Sequence, residues 1–576
     1  MIEPRYATLQ SLFGDRVFRI PEYQRYYSWE KRQRDDLFGD IEQLGKGIAD
    51  SHHFMATIVC YRTKEVVSVG QNEYRVHDIV DGQQRITTLI ILLKCIERSL
   101  PPDSDDQKEL AKVLVKRDGN ILLLQSNNAN QAIFDHFLRT GSDPSRADIV
   151  TRADRTFAAG IRECKGFVKR WQEQHGDVLS LLRLIKNRLG FVVYDTEDSR
   201  LVYNLFEVLN SRGLAVDWLD KCKSVLMGKA FELAGSPDSA TAAIQTLQSI
   251  WGDIYRRMAD ASVDGEEILR VAAALYYSPP RGKPPRADEA MDVLVERCTA
   301  FEEPMNIGHN LRDVASKLVE LDKDVFLGPA TKILQARILA VSIQSAPTIN
   351  EREKEAALSQ WERIAIRTYG LCAKDARTQV GDYLRLSRDI VSGAPEAATS
   401  EKIMDRLREL GSQFGIEEAI KEGLDGKSIY PDNPDLARYI LWRYEEWLAR
   451  ESGAGATVDE QVRQTIWNAR AVDSLEHIFP QQPKVNGPWQ GKMKRTPTEP
   501  DAPQTNVHRI GNLLLLPLPL NQEAQRAGFS EKRDIYARHH LRMIDEVLKV
   551  SDWNLPEIDR REQKIIEFVR REWADL

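Results

Sequence analysis

Cysteine is scarce and scattered in this chain. Its six cysteines (Cys60, Cys95, Cys164, Cys222, Cys298 and Cys372) form no Cys-x-x-Cys pair, and none lies in the last third of the sequence. That pattern speaks against a disulfide framework and a structural zinc site, and it places the chain in a reducing cytoplasm. Long apolar runs are missing as well. None approaches the roughly 20 residues that a membrane span needs, and the opening Met1-Ile-Glu-Pro-Arg5 lacks a signal-peptide pattern. No membrane partner is expected. A positive charge excess is also absent: the formal net charge is −7. Indiscriminate nucleic-acid binding is therefore disfavoured, because affinity for DNA rests on neutralising phosphates. Internal repeats and low-complexity tracts are absent.

What remains is a soluble, globular composition of 576 residues, 42% hydrophobic and 29% charged, long enough for two to four domains. Near the C-terminal end lies Asp473-Ser-Leu-Glu-His-Ile-Phe-Pro480, followed by His508-Arg-Ile-Gly-Asn-Leu513 and then Asn521. The apolar run Gly511–Leu516 reads as a buried strand stopped by Pro517. Pro519 suits the first turn of a helix, which would carry Asn521 and run towards Arg542. Lys532 and Tyr536 follow at helical spacing. Such an acid–His pair, a later Asn and a third polar residue suit phosphodiester hydrolysis, which needs a deprotonated water and a cation on the leaving oxygen. A neutral His takes that proton near pH 7. In a strand Glu476 faces away from His477, so both serve only if the strand bends there. Taken singly, Glu-His and Asn-Leu are ordinary core-edge residues. Together, in this order, they resemble the HNH (ββα-metal) nuclease motif.

That resemblance implies His477 as general base, Asn512 as the residue fixing the loop, and Glu476 with Asn521 as metal ligands. An Asn at the last position, where many members carry His, suits Mg²⁺ or Mn²⁺ better than Zn²⁺. Between His477 and Asp545 there are ten Lys/Arg against six Asp/Glu, a local balance of +4. Lys492, Lys494, Arg495, Arg509 and Lys532 are the candidate DNA contacts, although a charged loop is commonly just solvated.

At the N-terminal end, Phe18–Trp29 reads as a short strand, Pro21, and an aromatic loop carrying Arg25, with a helix from about 29 to 44. Phe54–Tyr61 and Glu73–Val80 alternate as a hairpin. Asp81-Gly-Gln-Gln-Arg85 then opens a helix to about Leu100. A strand, an Asp-Gly turn and a helix N-terminus favour an anion: free N–H groups and the helix dipole point at it. Gly82 permits close approach, Arg85 adds a fork of donors, and Gln83 and Gln84 add neutral hydrogen bonds. The plainer reading is a helix capped by Asp81. Asn210-Ser-Arg-Gly213 reads as a helix end with Gly213 as its left-handed stop, followed by a new helix from Asp217. Apolar spacing predicts helices at Leu201–Leu209, Leu334–Ile343, Trp361–Leu371 and Leu436–Arg450. Ser278–Pro285, Ser392–Ala398 and Glu451–Ala456 read as breaks.

Three segments, Ile20-Pro-x-Tyr-Gln-Arg-x-Tyr-x-Trp29, Val80-Asp-Gly-Gln-Gln-Arg-Ile-Thr-Thr-Leu89 and Phe206-Glu-Val-Leu-Asn-Ser-Arg-Gly-Leu214, resemble the signature set of the GmrSD family. These are type IV, modification-dependent restriction enzymes, with the phosphorothioate-sensing SspE proteins as relatives. The resemblance spans most of the chain. It implies an α+β multidomain protein, predominantly helical. A ParB/sulfiredoxin-like α/β nucleotide-binding and NTPase domain would span 1–230, a helical linker 231–400, and an HNH-type nuclease domain 401–576 with its ββα-metal core at about 470–540.

Arg25, Asp81, Gly82, Gln83, Gln84, Arg85, Asn210 and Arg212 would bind a nucleoside triphosphate (GTP, UTP, CTP or ATP). The expected function is nucleotide-regulated cleavage of modified phage DNA bearing glucosylated hydroxymethylcytosine or phosphorothioate, with one divalent cation. One-metal cutting severs one strand, so a homodimer is expected. Tyr23, Tyr26, Tyr27 and Trp29 are candidates to line a pocket for a flipped base, although core packing is their commoner role. The alternatives are a nucleotide-switched DNA-binding protein that does not cut, and a defence toxin that cleaves RNA.

Overall fold

A computed structural model describes residues 5–14, 16–46, 53–69, 72–116, 121–126, 131–145, 147–197, 217–259, 261–277, 282–430, 432–453, 460–467, 470–496, 498 and 500–574. Asn210, Ser211, Arg212, Gly213 and the predicted helix Leu201–Leu209 lie outside them. The protein is α+β and mostly helical. It divides into two compact units, Met1–Ala273 with Pro285–Glu320, and Ala274–Pro284 with Leu321–Leu576. The stretch 231–400, expected as a separate linker, is shared between these units. Among the described residues no helix is long and apolar enough to cross a membrane. All six cysteines are buried and unpaired.

The N-terminal unit holds a six-stranded mixed sheet. Its strands are β1 (Arg5–Thr8), β2 (Arg16–Ile20), β3 (His53–Val69) and β4 (Asn72–Asp81), then, beyond a small pair β5 (Val115–Lys116) and β6 (Ile121–Leu122), β7 (Leu124–Ser126) and β8 (Leu189–Thr196). The order is β1-β8-β3-β4-β2-β7. The predicted hairpin forms: β3 and β4 pair antiparallel, Val59 opposite Asp81 and Cys60 opposite Ile79. Both strands outrun the predicted spans, β3 by resuming its pairing with β4 from Val66 to Val69 after an irregularity beyond Arg62. Strands β8 and β2 flank this hairpin in parallel.

Side chains alternate across the sheet. Phe18, Ile58, Cys60, Ile79, Phe191 and Val193 enter a large core with the helices Lys31–Lys46, Gln83–Ser99, Arg152–His175 and Val178–Arg188. Val59 and Val80 pack on the opposite face with Tyr61 and Tyr194. Strand β4 thus delivers Asp81 directly to the start of the helix Gln83–Ser99.

In the C-terminal unit two short strands, β9 (Leu475–His477) and β10 (Leu513–Leu515), pair antiparallel with His477 opposite Leu513. The helix Leu518–Ala524 follows, begun by Pro517 and Pro519. It does not run on to Arg542. Gln525 takes a positive φ of 20°, a conformation that ends a helix, and separate helices follow at Phe529–Tyr536 and Arg542–Leu548. The long helix Leu555–Glu572 packs on the turn before β10. A Cβ on Gly511 would lie 2.3 Å from the carbonyl oxygen of Ile558, so this close approach admits only glycine. Arg561 secures it, donating to the carbonyls of Gly511 at 2.9 Å and Leu513 at 2.6 Å.

Candidate functional site

Each unit carries one constellation singled out in the sequence. In the N-terminal unit, Asp81 ends β4, and Gly82, with φ of 94°, begins the helix Gln83–Ser99. The N-cap is Gly82, which has no side chain to cap the helix, and the Asp81 carboxylate accepts from the Gly82 amide at the turn. The left-handed φ favours glycine, and the turn leaves first-turn N–H groups available to an acceptor.

Gln83 is buried. It donates to Gln24 Oε1 at 3.2 Å, while its own Oε1 has no hydrogen-bond partner. Gln84 is committed elsewhere. Its Oε1 accepts from the Ser28 amide at 2.9 Å and its Nε2 donates to the Tyr26 carbonyl at 3.1 Å. It clamps the aromatic loop instead of offering a free amide to a ligand, because two backbone groups on one loop use both ends of the side chain. Arg85 sits 6.0 Å from the Trp29 ring centroid, and burial lowers its pKa. Burial raises that of Asp81.

Arg25 faces two acids, Asp220 at 3.4 Å and Asp217 at 3.8 Å. Burial opposes its charge, but these carboxylates outweigh it and leave the pKa raised. Asp220 also accepts from Lys223 at 3.1 Å and from the Tyr255 hydroxyl at 2.5 Å. Lys223 reaches Gln24 Oε1 and the Tyr23 carbonyl. Gln24, Asp217, Asp220, Lys223 and Tyr255 therefore belong to the same polar cluster, although none was singled out from sequence. The one local signal was Asp220-x-x-Lys223, spaced to share a helix face. Among the loop aromatics, Tyr23 and Tyr27 are core residues, 8% and 5% exposed. Tyr27 bonds Thr88 at 2.9 Å and packs edge-on against Phe157, so neither ring is free to line a pocket for a base.

In the C-terminal unit, His477 is buried at the end of β9, 5% exposed. Its Nε2 lies 3.1 Å from His508 Nδ1, and its Nδ1 lies 3.2 Å from Gln481 Nε2. Burial, then His508 and Lys532, lower its pKa to about 3. It is neutral at pH 7. Tyr430 meets His477 edge-on at 4.5 Å and lies parallel to the His508 ring at 5.4 Å. Sequence reading quoted His508 without giving it a role, and missed Gln481 and Tyr430.

Asn512 has no exposed surface, and both ends of its amide are used. Its Oδ1 accepts from the Phe479 amide at 2.8 Å and Trp553 Nε1 at 3.0 Å; its Nδ2 donates to the carbonyls of Phe479 and Val507. It ties the two chain segments together and has no atom left for chemistry. Asn521 donates to the carbonyls of Asp473 at 3.0 Å and Leu475 at 3.1 Å. In an Asn side chain only the NH₂ group donates, so Oδ1 is the atom these bonds leave over.

Glu476 departs from its expected role. Strand alternation sends its side chain away from His477, and the bend that ends the strand, at Ile478 and Phe479, lies beyond both residues. Its Oε1 accepts from Lys532 at 2.5 Å and from the Tyr536 hydroxyl at 2.9 Å, with the carboxylate 3% exposed. Lys532 also donates to the His477 carbonyl at 2.7 Å. The acid expected at a metal is thus held in a buried ion pair, and Lys532, expected at DNA, has no exposed surface. Among the described residues no group of three or more His, Cys, Asp or Glu is assembled for a metal. Arg509 is likewise internal, paired with Glu562 at 2.6 Å and Asp559 at 2.7 Å. Lys492 pairs with Asp552, and Arg495 with Asp559. Of the five candidate DNA contacts only Lys494 has no ion pair among the described residues.

Residues 9–227 match the N-terminal domain of the GmrSD restriction endonucleases, and residues 416–568 match the C-terminal domain of the same enzymes. A search of curated proteins returned no match. The two matched segments contain the two constellations just described, Tyr255 apart, in the order of the family's two domains, and the chain belongs to the GmrSD restriction endonuclease family.

Proposed function

We propose that this restriction endonuclease cuts modified DNA through an HNH-type site in its C-terminal unit, under the control of a nucleoside triphosphate bound by a ParB/sulfiredoxin-like N-terminal unit. The observation that carries the nuclease reading is the buried, neutral His477 at a strand end. Asn512 cross-ties that strand end, and Asn521 is fixed by the carbonyl of Leu475 in β9 and that of Asp473 just before it.

His477 takes the proton of a water in line with the scissile phosphorus. At pH 7 it is in its neutral form, the one that accepts a proton. Gln481 is exposed and covers His477 Nδ1; its displacement opens that nitrogen to the water. Asn521 Oδ1 suits a hard divalent cation, Mg²⁺ or Mn²⁺, held chiefly by phosphate oxygens and water, as such ions are when protein ligands are few. Bound there, the cation supplies Lewis-acid stabilisation of the leaving oxygen.

For the nucleotide, the uncapped first turn of the helix Gln83–Ser99, the unpartnered Gln83 Oε1, Arg85 and the Arg25 guanidinium support binding at the Asp81–Arg85 turn. One cut per site makes a homodimer the natural assembly for a double-strand break. A second reading, a DNA-binding switch that does not cut, is favoured by the Glu476–Lys532 pair, which leaves the site short of acids.

The deciding experiment incubates the purified protein with phage DNA that is unmodified, glucosylated at hydroxymethylcytosine, or phosphorothioated. Mg²⁺ or Mn²⁺ is present, with and without GTP, UTP, CTP or ATP. Cutting confined to modified DNA and altered by nucleotide is expected. Nucleotide turnover without cutting of any DNA would favour the switch, or an RNA target.

A further inference from the structure

Both ring nitrogens of His477 are engaged, and this raises the question of which one meets water and what becomes of the proton. Gln481 Nε2 is a donor, so its bond makes His477 Nδ1 an acceptor. A neutral imidazole with a bare Nδ1 carries its hydrogen on Nε2. That hydrogen points at His508 Nδ1, 3.1 Å away. His508 Nδ1 must then be bare, and the His508 hydrogen sits on Nε2. One tautomer assignment satisfies both bonds at once.

His508 is itself firmly held. Its carbonyl accepts from the amides of Ile429 at 3.1 Å and Tyr430 at 3.4 Å, and the Tyr430 ring lies parallel to its own. It is also half-buried where His477 is buried. The pair forms a line from an enclosed imidazole to one that reaches solvent.

We propose that His508 is the orienting and proton-relaying partner of the base His477, a role that rests on the nuclease reading above. In the resting state His508 Nδ1 holds His477 in the tautomer whose Nδ1 lone pair is available. During cleavage the attacking water gives its proton to His477 Nδ1. The proton on His477 Nε2 passes to His508 Nδ1, and the proton on His508 Nε2 leaves to solvent. One proton travels from the nucleophile to bulk water, and both rings end neutral with their tautomers exchanged. No lasting charge is placed on His477. His477 is buried and a charge taken from water is costly there, so a base in this position needs an outlet.

The test uses the full chain with ¹⁵N-labelled histidine rings, in the wild type and in His508→Asn and His508→Ala. Asparagine keeps an oxygen to accept the His477 Nε2 hydrogen but has no second nitrogen to release a proton. The expected spectra show His477 protonated at Nε2 in the wild type and His508→Asn, with this preference lost in His508→Ala. Expected cleavage kinetics show kcat lowered about 100-fold in both variants with KM little changed, and added imidazole partly restoring His508→Ala. An unchanged His477 tautomer in His508→Ala overturns the orienting role. Wild-type cleavage by His508→Asn overturns the relay. If the wild type cuts no DNA, the nuclease reading fails on its own, and the ring spectra still decide the orienting role.

Discussion

The two constellations solve opposite problems with buried polar groups. In the N-terminal unit the cluster is ionic: Arg25 and Lys223 meet Asp217 and Asp220, and Tyr255 donates into it. It nevertheless keeps spare capacity, in an uncapped helix start and an unpartnered Gln83 oxygen. In the C-terminal unit the central ties are fully committed. Asn512 has no bonding position left, and Glu476 is locked to Lys532 and Tyr536. What stands inside that frame is a pair of imidazoles, His477 and His508. Spare donors and acceptors suit a ligand that arrives and leaves. A rigid frame around a neutral base suits bond cleavage, where small displacements of the base are costly.

This contrast is open to attack at the frame. Asn512→Ala strands the Phe479 and Trp553 N–H groups and two carbonyls in a dry interior, at a cost of about 4 kcal/mol or more. Urea unfolding of the C-terminal unit would measure it, and a change below about 1 kcal/mol would mean that Asn512 is not the tie. Lys532→Met leaves a buried carboxylate unpaired and is expected to cost about 3 kcal/mol, much of it regained in the Lys532→Met/Glu476→Gln double variant. If Glu476 instead serves a metal, Glu476→Gln will weaken Mn²⁺ binding while leaving stability nearly intact.

The contrast also has a pH signature. Burial lowers the His477 pKa from 6.5 to about 3. Between those values the unfolded chain binds a proton that the folded one refuses. The stability this group contributes is therefore complete above about pH 7 and is lost as pH falls towards 3. At pH 5 the loss is about 2 kcal/mol, read as the difference between the wild type and His477→Gln across pH 7 to 5. An equal pH response in both proteins would contradict the burial. The smallest effect is expected at Lys494. Lys494→Ala should weaken DNA binding by less than about 1 kcal/mol and flatten its salt dependence by roughly one charge.

Local patterns carried the elements that frame both sites. Alternation in Glu73–Val80 marked β4, Asp81-Gly-Gln-Gln-Arg85 marked the helix start, and Pro517 with Pro519 marked the turn from β10 into a helix. Partners distant in sequence were not legible. Glu476 and Lys532 stand 56 positions apart, and nothing in either segment signals that the acid is neutralised inside. His508 reads as one polar residue before an apolar run until β10 brings it beside His477. The helix break at Gln525 was equally hidden, since glutamine has no preference for the positive φ it adopts. In both units sequence pattern located the elements, and long-range pairing decided which side chains remain uncommitted.

The central claim is that one chain carries two separate chemistries, and a paired assay of DNA cleavage and nucleotide turnover on His477→Ala and Arg85→Ala tests it most directly. The account predicts that His477→Ala loses cleavage by about 1,000-fold or more with nucleotide turnover intact. Arg85→Ala should lose turnover while remaining folded. Loss of both activities in His477→Ala, or unchanged turnover in Arg85→Ala, would contradict it.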